Sequence, residues 1–196
     1  VQFTDLRGLP LDREGITTPG NVAASLVLAT IPKGETTYKA YTTRVQTSPI
    51  TRVSATQAGT DTGGVWTKVA DGEYLYTFGV KAPSGYDRTA SHRVAMYANR
   101  NLSEFDLGIN LADTVFDFVP DGSKVTVVRD IVATASCNRC HDKLSAHGTT
   151  GRSTVPVCIT CHQPQTTDPD TGNSVDMATM VHKIHLSAEL PNVQAV

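Results

Sequence analysis

One five-residue pattern occurs twice near the end of this 196-residue chain, as Cys137-Asn138-Arg139-Cys140-His141 and Cys158-Ile159-Thr160-Cys161-His162. These two copies hold all four cysteines, and they lie in a stretch from Ala133 to Val196 that contains no Phe, Tyr or Trp. The twelve aromatic residues of the chain all fall between Phe3 and Phe118, whereas five of its six histidines fall after Ala133. Such a stretch, poor also in Leu, Ile and Val, can hardly bury enough apolar side-chain surface to offset its ordering entropy. Either it is disordered, or something other than side chains supplies its core.

C-x-x-C-H is the attachment pattern of c-type haem. Two cysteines three apart reach the two vinyl groups on one porphyrin edge and form thioethers. The histidine that follows is then held against the iron as its proximal ligand. The rival is structural zinc, because Cys137, Cys140, Cys158 and Cys161 also satisfy C-x2-C-x17-C-x2-C, and a metal can likewise fold a segment with little core. Zinc requires no histidine after each pair, however, and here both pairs have one. A disulfide within C-x-x-C is a tight loop and a weaker reading.

Three further histidines, His147, His182 and His185, lie in the same segment and compete for two distal positions. Imidazole on both faces of an iron closes it to substrate and leaves electron transfer as its role. His182 and His185 sit three apart in Val175 to Leu190, the one stretch here with a helical pattern, for which Asn173 or Ser174 is the expected cap and Asp176 a first-turn acid. Met177 and Met180 on the same stretch are alternative distal ligands or packing residues. His92, in an expected strand, reads as a surface or core histidine. Two haems would supply the missing core, and within some sixty residues they must lie near each other.

The preceding part reads as all-β. Val65–Val69 and Glu73–Phe78 alternate with period two around Asp71-Gly72, the strongest short-range hairpin signal. A second hairpin is expected between Thr114–Val119 and Lys124–Val128 around Asp121-Gly122. Other strands are expected at Val22–Thr30, Tyr38–Gln46 and His92–Tyr97. Threonine, 27 residues of the chain, also suits strands. The fold class is therefore a mainly β domain over 1–132, a Greek-key sandwich or split barrel, followed by a haem-cored segment over 133–196 with little regular structure and one short helix. Val1-Gln2-Phe3-Thr4 already looks like a strand with no leader before it, which predicts a mature or trimmed product. A formal net charge of −2 argues against nucleic-acid binding. The largely apolar run Val22–Ile31 is too short to span a bilayer as a helix.

The order of features resembles the start of the outer-membrane multihaem cytochromes, the OmcA/MtrC-type decahaem family. The resemblance rests on the two C-x-x-C-H motifs, Leu144-Ser145-Ala146-His147-Gly148, Arg152, Gln163-Pro164 and Met180-Val181-His182-Lys183-Ile184-His185. More loosely, it rests on Val1-Gln2-Phe3, Gly8-Leu9-Pro10, Gly72–Tyr76 and Ser91–Val94. It implies a Greek-key β domain, bis-histidine haems, export to the cell surface or beyond, and transfer of electrons to extracellular acceptors such as metal oxides or flavins. The family carries ten motifs and this sequence two. Either the chain is the leading piece of a longer wire, or it is a small dihaem protein that meets other multihaem cytochromes or copies of itself, with a histidine given in trans and an end-to-end polymer as one outcome.

The expectation is therefore an electron-transfer protein rather than an enzyme, with two covalent haems c held by Cys137, Cys140, His141, Cys158, Cys161 and His162 and iron ligands drawn from His141, His162, His147, His182 and His185. Two rivals stay open. One is a haem reductase or peroxidase with an open iron, served by Arg139 or Arg152; the other is a β binding domain with a zinc ribbon.

Overall fold

The computed structural model of the chain describes residues 1–186. Its centre is the run that reads as apolar in sequence. Strand β1 (Val22–Ile31) pairs antiparallel with β7 (Ser91–Asn101) along its whole length, and β7 pairs with β8 (Ile109–Phe118). With the two-residue β2 (Lys39–Ala40), they form a four-stranded sheet in the order β2-β1-β7-β8. A strand apolar on both faces must be covered on both. On one face Val22, Ala24, Met96 and Ala98 pack against Phe3, Trp66 and Tyr74. Those aromatics come from the amino-terminal segment and from the hairpin β5 (Val65–Ala70) and β6 (Glu73–Thr77). On the other face Val27, Ala29, Ile31 and Ala95 meet residues of the cysteine-bearing segment.

The Asp71-Gly72 hairpin forms as expected, with Gly72 at φ 71°, a left-handed turn that disfavours a side chain. The Asp121-Gly122 signal behaves differently. Gly122 is left-handed at φ 85°, but Lys124–Val128 forms no strand, and Val127 and Val128 stay largely exposed. The expected strand Tyr38–Gln46 is broken into β2 and β3 (Thr43–Thr47), the latter pairing with β4 (Ser54–Ala58) as a separate ribbon. Gln2 and Thr4 make single bridges to Glu73 and Pro10, not a strand. The architecture is mainly β, and its sheets do not close into a barrel.

Among its described residues the cysteine segment holds three α-helices rather than one: α1 (Thr134–His141), α2 (Val155–Cys161) and α3 (Met177–His185). Helix α3 starts at the Asp176 cap, later than expected, and residues 187–190 of the predicted helix lie outside the described residues. The two unexpected helices are short. Helix α2 buries Val155, Val157, Ile159 and Thr160, while α1 has no buried residue. The segment thus draws a core from the sheet beside it as well as from whatever it binds. No described helix is long and apolar enough to cross a membrane.

Candidate haem-binding site

Each C-x-x-C-H motif ends a helix, so that both cysteines and the histidine fall within about one turn and a half. Helix α2 is fixed to the sheet at its start. The Asp113 carboxylate on β8 accepts hydrogen bonds from the backbone N–H groups of Ser153 (2.7 Å) and Thr154 (2.8 Å) and from both hydroxyls. A carboxylate at a helix N-terminus satisfies orphan donors and complements the helix dipole. Pro156 lies at the first positions of the helix, where its missing N–H costs nothing. The Thr134 hydroxyl, first residue of α1, accepts from the N–H of Val155, first residue of α2, at 2.9 Å. The two motifs are therefore joined at their helix starts. Beyond α2, the Gln163 side chain accepts from the Ala40 N–H at 3.1 Å and ties the motif's exit to β2.

The cysteines differ in setting. Cys140 is exposed, Cys137 half-buried, and Cys158 and Cys161 lie under the sheet. Burial pushes the thiols of Cys158 and Cys161 up to about 11, so the site penalises a thiolate. Among the described residues no three His, Cys, Asp or Glu side chains converge as a metal-ligand group.

Four of the histidines fall into two neighbouring pairs. The His147 and His162 rings lie 5.9 Å apart, centre to centre, at 29°. The His141 and His185 rings lie 6.0 Å apart at 83°. Two imidazoles that share one metal through bonds of about 2 Å each have ring centres about 6 Å apart. Each pair joins one motif histidine to one distal candidate. In His162 the Nδ1–H donates to the Val175 carbonyl at 2.9 Å, and in His185 the Nδ1–H donates to the Val181 carbonyl at 2.8 Å. These bonds leave Nε2 with its lone pair, the tautomer a ligating histidine needs. Burial holds both His147 and His162 below the ordinary imidazole value and so favours the neutral form.

His147 reaches its place on a left-handed backbone, φ 61°, followed by left-handed Gly148. Left-handed φ at a non-glycine residue costs about 1 kcal/mol and collects at functional positions. The turn is closed by an antiparallel bridge between Ala146 and Arg152, with Ala146 N–H donating to the Arg152 carbonyl at 3.0 Å. Around the first motif, the Asn138 side chain accepts from the Leu144 N–H at 2.7 Å and folds the chain back after His141.

The remaining candidates are placed differently. His182 is exposed on α3, with no imidazole facing it among the described residues. Met177 and Met180 pack into the apolar cluster with Ile31, Tyr38, Val155 and Ile159. His92 is a core histidine: its Nδ1–H donates to the Ala90 carbonyl and its Nε2 accepts from the Tyr41 hydroxyl, so neither nitrogen is left for a metal. Arg139, one of the two arginines weighed for an open-iron site, makes no hydrogen bond or ion pair of its side chain among the described residues. Sequence reasoning missed Asp113, Arg93 and Tyr97. These come from strands remote in the chain and carry no local signal.

Residues 129–195 match the family model of outer-membrane cytochrome MtrC/MtrF-like proteins, domains II/IV. The multihaem cytochrome MtrC of Shewanella baltica (strain OS185) is 29% identical over 139 residues, 67% of this chain and 21% of the relative. The crystal structure of MtrC from Shewanella baltica OS185 superimposes with a TM-score of 0.63 at 24% identity, over 98% of this chain and 31% of that one, and so shares its fold. The chain thus spans about a fifth of the length of the curated relative. A mainly β fold, a matched segment over residues 129–195 and this relative together make the chain similar to MtrC-type multihaem cytochromes.

Proposed function

We propose that this chain transfers electrons through two covalently bound haems c, each held between two imidazoles: His141 with His185, and His147 with His162. The observation that carries this reading is the pairing itself, two motif histidines each beside one distal candidate with ring centres at about the separation a shared metal requires. Cys137 and Cys140 anchor one haem by thioethers, and Cys158 and Cys161 the other. When bound, the haem iron supplies one-electron redox chemistry. The protein's residues hold the ligand tautomers, and His141 with His185 and His147 with His162 would supply the imidazoles to each iron. The division into a β scaffold (1–132) and a haem segment (133–196) is part of this reading, with the sheet presenting the segment rather than reacting.

The protein is exported and acts at the cell surface, as its outer-membrane cytochrome relatives indicate. Its partners are other multihaem cytochromes and extracellular acceptors such as metal oxides or flavins. With both motif histidines paired, His182 has neither of these two irons left to ligate. Its iron would belong to a partner cytochrome or to a continuation of this chain; a polymer of identical copies would require one internal pair to open. An open-iron reductase or peroxidase has less support, because neither motif histidine lacks a facing imidazole.

Intact-mass measurement and a pyridine haemochrome assay on protein matured in a haem-attaching host test the proposal. Two haems per chain, lost in stoichiometric steps when Cys137 with Cys140, or Cys158 with Cys161, is replaced by alanine, are expected. A colourless product carrying zinc would overturn it.

A further inference from the structure

Among the described residues Arg152 is a cation without a counter-ion, beside one of the two imidazole pairs. Its guanidinium lies 4.2 Å over the ring of Tyr97 and donates to the Tyr97 hydroxyl. Its Nε is buried and has no hydrogen-bond partner. Among the described residues it forms no ion pair. The nearby Asp113 carboxylate is occupied by Ser153 and Thr154. Buried donors are ordinarily paired, and a partly buried charge without an opposite charge is costly. The bridge from Ala146 to Arg152 keeps this cation next to His147, and its charge reaches both His147 and His162.

The missing partner is an anion, and a planar guanidinium with its Nε–H unpaired fits a carboxylate best. Building on the function proposed above, we infer that Arg152 holds a propionate carboxylate of the haem attached at Cys158 and Cys161, and that its positive charge raises the reduction potential of that haem. The direction follows from charge: the ferric iron carries one more positive charge than the ferrous, so a fixed cation nearby disfavours it. Tyr97 is the support that fixes the guanidinium, and the sheet thereby reaches the electronics of the haem.

The test is a spectroelectrochemical titration of the haem-loaded chain and of R152Q and R152K. In R152Q one of the two midpoint potentials is expected to fall by about tenfold in its one-electron equilibrium constant, equivalent to about 59 mV, while the other stays in place. R152K, which keeps the charge but loses the fork, is expected to fall less. Two low-spin haems with both potentials unmoved in R152Q would overturn the inference and leave the proposed function standing. A wild-type chain lacking two low-spin haems would instead overturn the function on which it rests. If R152Q does not accumulate with both haems, the charge-removing R152M is read in its place: a fall confined to one haem supports the inference, and unmoved potentials overturn it.

Discussion

Arg93 on β7 grips Asp117 on β8 through two hydrogen bonds of 2.7 Å and, with the same guanidinium, donates to the Pro156 carbonyl of α2 at 3.1 Å. Arg93 is 3% exposed at its side chain, and its guanidinium lies 4.6 Å over the Tyr38 ring. One buried cation therefore locks two strands together and clamps the second motif helix onto them. Replacing Arg93 with methionine leaves Asp117 without its partner. Removing one member of a buried pair costs about 3 kcal/mol, the lower end of the usual range because Asp117 is partly exposed. Denaturant unfolding of the haem-loaded chain should show that loss, and R93M/D117L should recover part of it.

The distal ligands are tested by single substitutions read spectroscopically. H147G, which tolerates the left-handed backbone at this position, and H185A should each convert one haem of the two to a high-spin form that binds carbon monoxide. H182A should leave both low-spin. High-spin iron in H182A, or its absence in H147G, would contradict the pairing.

Asp113 should matter more to the second motif than to the first, since it caps α2 alone. D113A removes the acceptor for two backbone N–H groups and two hydroxyls, with an expected cost of about 2 kcal/mol. Amide exchange should quicken first at the start of α2, while the β1–β7 pairing stays protected.

The Asp12 carboxylate makes acid stability of the amino-terminal loop predictable. Backbone N–H groups of Thr17 (2.9 Å), Ile16 (2.6 Å) and Glu14 (3.3 Å), with the Tyr74 hydroxyl, hold it well below the usual carboxylate range. A carboxyl group depressed in the folded state contributes stability that is complete above its unfolded value, near 3.8, and fades as pH falls below it. The Tm difference between wild type and D12N should therefore be constant from pH 7 to about 5 and shrink below pH 4. A difference that grows on acidification would contradict the assignment.

The same residues show what a sequence discloses. The C-x-x-C-H motifs are legible because their pattern is local in the chain. Asp71-Gly72 is legible because both flanking runs have a place to bury aromatic residues: Phe3, Trp66 and Tyr74 form one cluster. The identical dipeptide Asp121-Gly122 misleads because turn chemistry permits a hairpin without supplying a second strand with something to cover. Helices α1 and α2 run to eight and seven residues, too short for periodicity to separate from loop. Thr154 followed by Pro156 was the one start signal available for α2. Which distal histidine faces which motif was not legible at all. It depends on the Ala146–Arg152 bridge and on the packing of α3, both set by tertiary contacts.

The central claim is that both irons are closed by two imidazoles. Near-infrared magnetic circular dichroism of the ferric chain, followed by dithionite reduction under carbon monoxide, tests it most directly. The account predicts bis-imidazole charge-transfer bands from two haems and reduced spectra unchanged by carbon monoxide. A high-spin band, or a carbon monoxide adduct at either haem, would contradict it.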